Sequence, residues 1–193
     1  MTWSAGRIVL YPGFILLLSA SAYFGSFRLL AVLLGSGLVH ELGHIAAVRL
    51  TGRRLARLRL SALGAELTLE GEACTSFLQD LLLSLSGPAA NLLLAAVLAA
   101  VGHFPLFVGA NLLLGCFNLL PVYPLDGGCA LFALLSCLTS MEWAERVSRL
   151  FSRAFSLLVV FCGMLLLLLE HGRPWLLLIG IWLSAASFRS NTP

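Results

Sequence analysis

Apolar residues in this chain come in runs long enough to cross a lipid bilayer, and nothing else in the sequence restricts its possible folds so tightly. A hydrocarbon core about 30 Å thick needs roughly 20 residues of helix, because each residue advances about 1.5 Å. Six stretches meet or approach that length, at about 8–25, 29–50, 77–101, 105–121, 148–169 and 174–189. Hydrophobic residues make up 60% of the chain and charged ones 11%, against about half and a quarter in a soluble domain. The expected fold is therefore an all-α, multi-pass membrane protein with about six transmembrane helices, forming a single domain over 1–193. The first stretch has an alternative as a signal peptide, since Ala20-Ser21-Ala22 looks like a small-residue cleavage site, though Arg7 is the only charge ahead of it.

The basic residues, all arginine, set the orientation, because cytoplasmic loops collect positive charge. With six spans and an inside N-terminus, the cytoplasmic face receives Arg7, Arg49, Arg53, Arg54, Arg57, Arg59, Arg146, Arg149, Arg153 and Arg189. The outer face receives Arg28 and Arg173. The expectation is a cell-membrane protein with both termini cytoplasmic and the lipid bilayer as its first partner. No basic face with interleaved aromatics exists for a nucleic-acid partner. Five cysteines, Cys74, Cys116, Cys129, Cys137 and Cys162, form no CxxC pair and suggest no disulfide framework.

Two stretches do not read as spans. Residues 53–72 alternate, with Arg57 and Arg59 against Leu58 and Leu60, then Glu66, Thr68 and Glu70 against Leu67 and Leu69. Period two on either side of Gly64 predicts a short membrane-associated β-hairpin between the second and third spans, with Arg57 near Glu70 across the strands. A solvated basic loop is the alternative. Residues 127–147 read as a short helix followed by an amphipathic lead-in to the fifth span.

The chemistry lies in Val39-His40-Glu41-Leu42-Gly43-His44-Ile45, in the inner half of the second span. Residues four apart share one helix face, so both imidazoles can reach one ion. Catalytic zinc takes three protein ligands and a water, and Glu41 beside the first ligand can take a proton from that water. Ionisable residues in a span are costly and point to function. The third ligand should come from a carboxylate, imidazole or thiolate at the same depth. Asp126 stands out, in Asn118-Leu119-Leu120-Pro121-Val122-Tyr123-Pro124-Leu125-Asp126-Gly127-Gly128. Pro121 and Pro124 end the preceding helix, and Gly127 and Gly128 permit a tight turn or a close backbone approach. Asp126 could instead, or in addition, cap the next helix.

These segments resemble the site-2 protease family, intramembrane zinc metalloproteases of the M50 type whose signature joins HExxH to an N-x-x-P-x-x-x-x-D-G segment. Gly87-Pro88-Ala89-Ala90-Asn91 resembles that family's GPxxN, so the likeness covers roughly 29–128, the expected catalytic core. Six spans with cytoplasmic termini are most similar to the sporulation-type branch, exemplified by stage IV sporulation protein FB. The resemblance implies one zinc per chain on His40, His44 and Asp126, with Glu41 as catalytic base. It implies a place for Asn118 near the substrate backbone or the metal. Pro88 leaves a helix carbonyl without its usual partner near Ser84, and Asn91 suits an interhelical hydrogen bond, with packing favoured over chemistry. The sporulation-type branch usually carries a CBS domain, which this sequence lacks, and Cys129 stands where an arginine is common, either as a packing residue or as a further ligand.

The expected function is cleavage of a peptide bond within or beside a transmembrane segment near the cytoplasmic face, with a sporulation pro-sigma factor as one implied substrate and a regulatory membrane protein as a further partner. A catalytically inactive zinc-binding membrane scaffold is the alternative, and a metal transporter is disfavoured because the outer halves of the spans are almost wholly apolar. Gly35, Gly37 and Gly43 offer a small packing surface on the second span, or room for a substrate helix. His103 and His171 read as interfacial.

Overall fold

The computed structural model describes residues 3–5, 8–10, 27–52, 55–61, 64–69, 76–169 and 174–189. Among them are six helices: α1 (Phe27–Leu50), α2 (Phe77–Val101), α3 (Pro105–Asn118), α4 (Asp126–Leu138), α5 (Met141–Leu168) and α6 (Trp175–Arg189). Four short strands, β1 (Trp3–Ala5), β2 (Ile8–Leu10), β3 (Leu55–Ser61) and β4 (Gly64–Leu69), form a sheet in that order. β2 runs parallel to β3, and the other neighbours are antiparallel. Arg7, Ala20-Ser21-Ala22, Arg53, Arg54, Glu70, Glu72, Cys74, His171 and Arg173 lie outside the described residues.

Three of the described helices, α1, α2 and α5, are long and apolar enough to cross a membrane. The others fall short: α3, α4 and α6 hold 14, 13 and 15 residues, or about 20–22 Å of rise. The expected span at 105–121 stops at Asn118, as the prolines beyond it require. The expected span at 8–25 does not begin as a helix, because residues 8–10 form β2 and 11–26 lie outside the described residues. β-branched Ile8 and Val9, followed closely by Pro12 and Gly13, favour an extended start over a helical one. The described part of the fold is thus mainly helical, as expected, with a small sheet formed by β1 to β4.

The β3–β4 register differs from the one expected. Ser61 faces Gly64, so Gly64 belongs to a strand. That register sets Arg59 against Glu66 and Arg57 against Thr68, not Glu70, with a shift in register between Leu55 and Arg57.

The chain divides into two compact units, Met1–Cys74 with Ala89–Gly115, and Thr75–Pro88 with Cys116–Pro193. In the first, α1 buries Ser36, His40, His44, Ala47 and Val48, a stripe at helical spacing. Leu33, Leu34, Leu38 and Leu42 are exposed. Hydroxyl and imidazole inside with leucine outside inverts the pattern of a soluble helix and suits a lipid surround. A methyl on Gly35 would lie 3.1 Å from the Phe107 ring of α3, whereas one on Gly37 would meet nothing within 4 Å among the described residues. Among those residues the close-packing reading therefore holds for Gly35 and not for Gly37.

In the second unit, α5 and α6 approach through glycines. A Cβ on Gly163 would stand 2.7 Å from the Leu177 backbone, and one on Gly180 2.8 Å from the Val160 backbone. Ala144, Ser148, Ser152 and Ser156 continue the small buried face of α5 at four-residue intervals. Val122, Leu125 and Leu183 form an apolar core with Phe117, Leu120, Phe155 and Trp182 packed against it. The N-terminal turns of α5 carry the pairs Glu142–Arg146 (3.9 Å) and Glu145–Arg149 (3.3 Å), as an amphipathic lead-in should. Arg153 caps the Phe188 ring at 5.0 Å from its centroid.

Candidate metal centre

His40 and His44 occupy successive turns of the buried stripe on α1, each 7% exposed. Their rings meet edge to face, with centroids 4.8 Å apart, and their Nε2 atoms are 3.2 Å apart. Two ligands bound tetrahedrally at the usual zinc–nitrogen length of about 2.0–2.1 Å would sit about 3.3 Å apart. The histidine pair thus has the spacing of one edge of a zinc tetrahedron.

The orientation of His40 is set from the far side of its ring. Its Nδ1 lies 2.7 Å from Oδ1 of Asn91 on α2. The Asn91 amide nitrogen donates to the Ser36 carbonyl (2.9 Å) and to Asn111 Oδ1 on α3 (2.7 Å). With both protons of that nitrogen directed at acceptors, the oxygen must face His40. Nδ1 of His40 therefore carries the proton and donates it, leaving a lone pair on Nε2. Metal-ligating histidines are commonly held in this way, the second nitrogen donating to an oxygen behind it.

Asn91 and Asn111 are both wholly buried. Asn91, expected as an interhelical hydrogen-bond donor, donates to α1 and α3 and also meets a candidate ligand, on a helix that continues through Pro88. Asn111 and Ser36 escaped the sequence reading. The available signal was that each is polar within a long apolar helix, where burial without a partner is costly.

Asp126 opens α4. It is the first helical residue and not the cap, which is Leu125, so the capping alternative is not realised. The preceding loop folds tightly, with Val122 N–H donating to Leu120 O (2.7 Å), Leu125 N–H to Val122 O (2.8 Å) and Tyr123 N–H to Ser152 Oγ (3.0 Å). Gly127 and Gly128 are buried beneath that loop. A Cβ on Gly127 would strike the Leu119 and Leu120 carbonyls, and one on Gly128 would lie 2.5 Å from the Tyr123 nitrogen and the Val122 carbonyl carbon. The glycines admit the close backbone approach expected of them. Pro121 lies in the loop and Asn118 is the last residue of α3, both half-buried.

His40, His44 and Asp126 are, among the described residues, the group of three metal-binding side chains that could hold an ion. Two imidazoles and a carboxylate are a donor set suited to catalytic zinc. Cys129, half-buried one turn into α4, is not in that group. Glu41 is half-buried between the two histidines in sequence. His103, expected to be interfacial, is exposed beyond the end of α2, with Nδ1 2.8 Å from the Val101 carbonyl.

Comparison with known proteins points the same way. A model described as "Peptidase family M50" matches residues 28–109 and 103–162. Stage IV sporulation protein FB of Bacillus subtilis is 29% identical over 181 residues, covering 90% of this chain and 62% of that protein. A zinc metalloprotease of Methanocaldococcus jannaschii is 28% identical over 153 residues, covering 71% of this chain and 43% of that protein. The chain therefore spans less than two thirds of the length of either relative. Among solved structures, a site-2 protease from M. jannaschii superposes with a TM-score of 0.70 at 22% identity, covering 100% of this chain and 95% of that one. That superposition is a likeness of fold.

Proposed function

The chain belongs to peptidase family M50, and from that membership we propose that it is a zinc metalloprotease cleaving a peptide bond within or beside a transmembrane segment of a membrane protein. The observation that carries this reading is the pair of Nε2 atoms 3.2 Å apart on one buried helix face. His40, His44 and Asp126 are the proposed ligands of one zinc ion. When bound, zinc polarises the scissile carbonyl and lowers the pKa of a water molecule. Glu41 is the proposed base: its carboxylate accepts the proton of the attacking water and returns it to the leaving amine nitrogen. Asn91 holds His40 by its Nδ1 proton. Gly127 and Pro121 shape the turn that leads into Asp126, and Asn118 at the end of α3 is assigned to support of the substrate backbone.

The arginine distribution supports a multi-pass arrangement in the cell membrane with both termini cytoplasmic, and so cleavage near the cytoplasmic face. The β3–β4 pair, with its arginines, belongs on that face beside the lipid headgroups. Likeness to stage IV sporulation protein FB makes a sporulation pro-sigma factor a substrate to test, and a membrane protein a regulator to test.

The test is Glu41→Gln in the purified, lipid-reconstituted protein with a panel of transmembrane substrates. Zinc content should stay at one per chain while cleavage falls by about 10²–10⁴-fold, the usual worth of a general base. Equal cleavage by both proteins would remove Glu41 from the mechanism. Zinc binding without cleavage by either would favour the inactive scaffold.

A further inference from the structure

We propose that Asn111 is a positioning residue for the metal centre: with Ser36, it fixes which end of the Asn91 amide faces His40 and so which tautomer His40 adopts. The proposal rests on the reading of His40 as a zinc ligand.

The direction of each hydrogen bond fixes the orientation of both amides. Two backbone carbonyls anchor the network, and a carbonyl can only accept. The Phe107 carbonyl lies 2.9 Å from Asn111 Nδ2, so that end of the Asn111 amide must be its nitrogen. The same nitrogen donates to Ser36 Oγ at 3.0 Å. Asn111 therefore turns its oxygen toward Asn91, where it accepts from Nδ2 at 2.7 Å. The Ser36 carbonyl, 2.9 Å from that nitrogen, imposes the same sense on Asn91. Oδ1 of Asn91 is then left at 2.7 Å from His40 Nδ1, where it requires a donor.

Reversing the Asn111 amide would set its oxygen against the Phe107 carbonyl and its nitrogen against Asn91 Nδ2, and reversing Asn91 would set its oxygen against the Ser36 carbonyl and Asn111 Oδ1, in a buried, low-dielectric setting where such mismatches are costly. The polarity of the Phe107 peptide is thus passed through two amides to one imidazole. Proton on Nδ1 and lone pair on Nε2 is the tautomer a metal on the His44 side requires. Without Asn111, Asn91 keeps one anchor of two and its amide can turn over. In the turned state Asn91 Nδ2 would donate to His40 Nδ1, moving the ring proton to Nε2 and blocking it.

The test uses the full chain in lipid nanodiscs, metal-free and histidine-labelled with ¹⁵N. Imidazole ¹⁵N shifts report the tautomer of His40, assigned by its loss in His40→Gln, and zinc affinity is measured separately by chelator competition. In the wild type, His40 should be a single Nδ1–H species. In Asn111→Leu, a second tautomer should appear and zinc affinity should fall by about tenfold, the lower end of outer-shell effects. Asn111→Ser should do the same and folds more safely, since its hydroxyl can bond the Phe107 carbonyl four residues back. Asn111→Asp should restore the wild-type pattern, because its carboxyl group keeps an oxygen that accepts from Asn91 Nδ2. An unchanged tautomer ratio in both the Leu and Ser variants overturns the proposal, as does failure of Asp to restore it. A wild type with the single Nδ1–H tautomer that takes up no zinc would instead remove the metal reading and leave the orientation of His40 standing.

Discussion

Replacing Gly128 by alanine adds one methyl group where the structure has no space for it. The new carbon would lie 2.5 Å from the Tyr123 nitrogen and the Val122 carbonyl carbon, against 3.4 Å or more in an ordinary contact. The overlap of about 0.9 Å falls on backbone, which cannot swing aside as a side chain would. Val122 is itself fully buried, and the Tyr123 N–H is tied to Ser152. Relief must come from lifting the loop off α4, and overpacking of this kind costs about 1–3 kcal/mol. Asp126 sits two residues away on the same turn, so a displacement approaching 1 Å would carry its carboxylate with it. A shift of that size can cost about 10²-fold in activity. The control is Gly37→Ala, the same chemical change with nothing within 4 Å; there the better helix propensity of alanine should hold or raise stability by up to about 1 kcal/mol. Thermal unfolding followed by helicity in one detergent, with zinc retention after gel filtration, reads both effects. If Gly128→Ala matches Gly37→Ala in midpoint and in bound zinc, the loop does not rest on α4 as described, and the account of the Asp-Gly-Gly turn is wrong.

Other perturbations separate the remaining parts of the argument. Asp126→Asn should leave helicity and the unfolding midpoint within about 0.5 kcal/mol of wild type, since Leu125 and not Asp126 is the cap, while zinc affinity falls; equilibrium dialysis against a chelator measures it. Asn91→Leu removes the acceptor behind His40 and should weaken zinc binding by about 10–100-fold, with retained affinity counting against His40 as a ligand held through Asn91. Gly180→Leu drives a side chain into the Val160 backbone and should lower the unfolding midpoint by more than Ala100→Leu at an exposed helix position, in the same thermal assay.

The two halves of the candidate centre were legible to different degrees. His40 and His44 share a face because both lie on one helix, and the 3.6-residue period places them together whatever surrounds that helix. The helix break before Asp126 was equally legible, since Pro121 and Pro124 act locally on the backbone. The hairpin register was less so: alternation identifies the strands, but it does not fix the pairing that sets Ser61 against Gly64 and Arg57 against Thr68. β1 and β2 were missed because three-residue strands are too short to show a period.

The sequence alone pointed to a lipid surround, through the length of its apolar runs, and to a candidate zinc-binding face, through two histidines one turn apart. Both are properties of a single segment, readable without knowing its neighbours. Only the tertiary structure decided what that face is prepared to do. Asn91 reaches His40 from 51 positions away in the chain, and Asn111 lies 75 positions from Ser36. Which carbonyl each amide meets depends on the rotation and height of one helix against another, and no periodicity along a single chain encodes either. The apolar runs that opened the sequence reading explain why this matters: among buried apolar helices there is no water to satisfy a misdirected amide, so the few polar groups present must satisfy one another in one sense only.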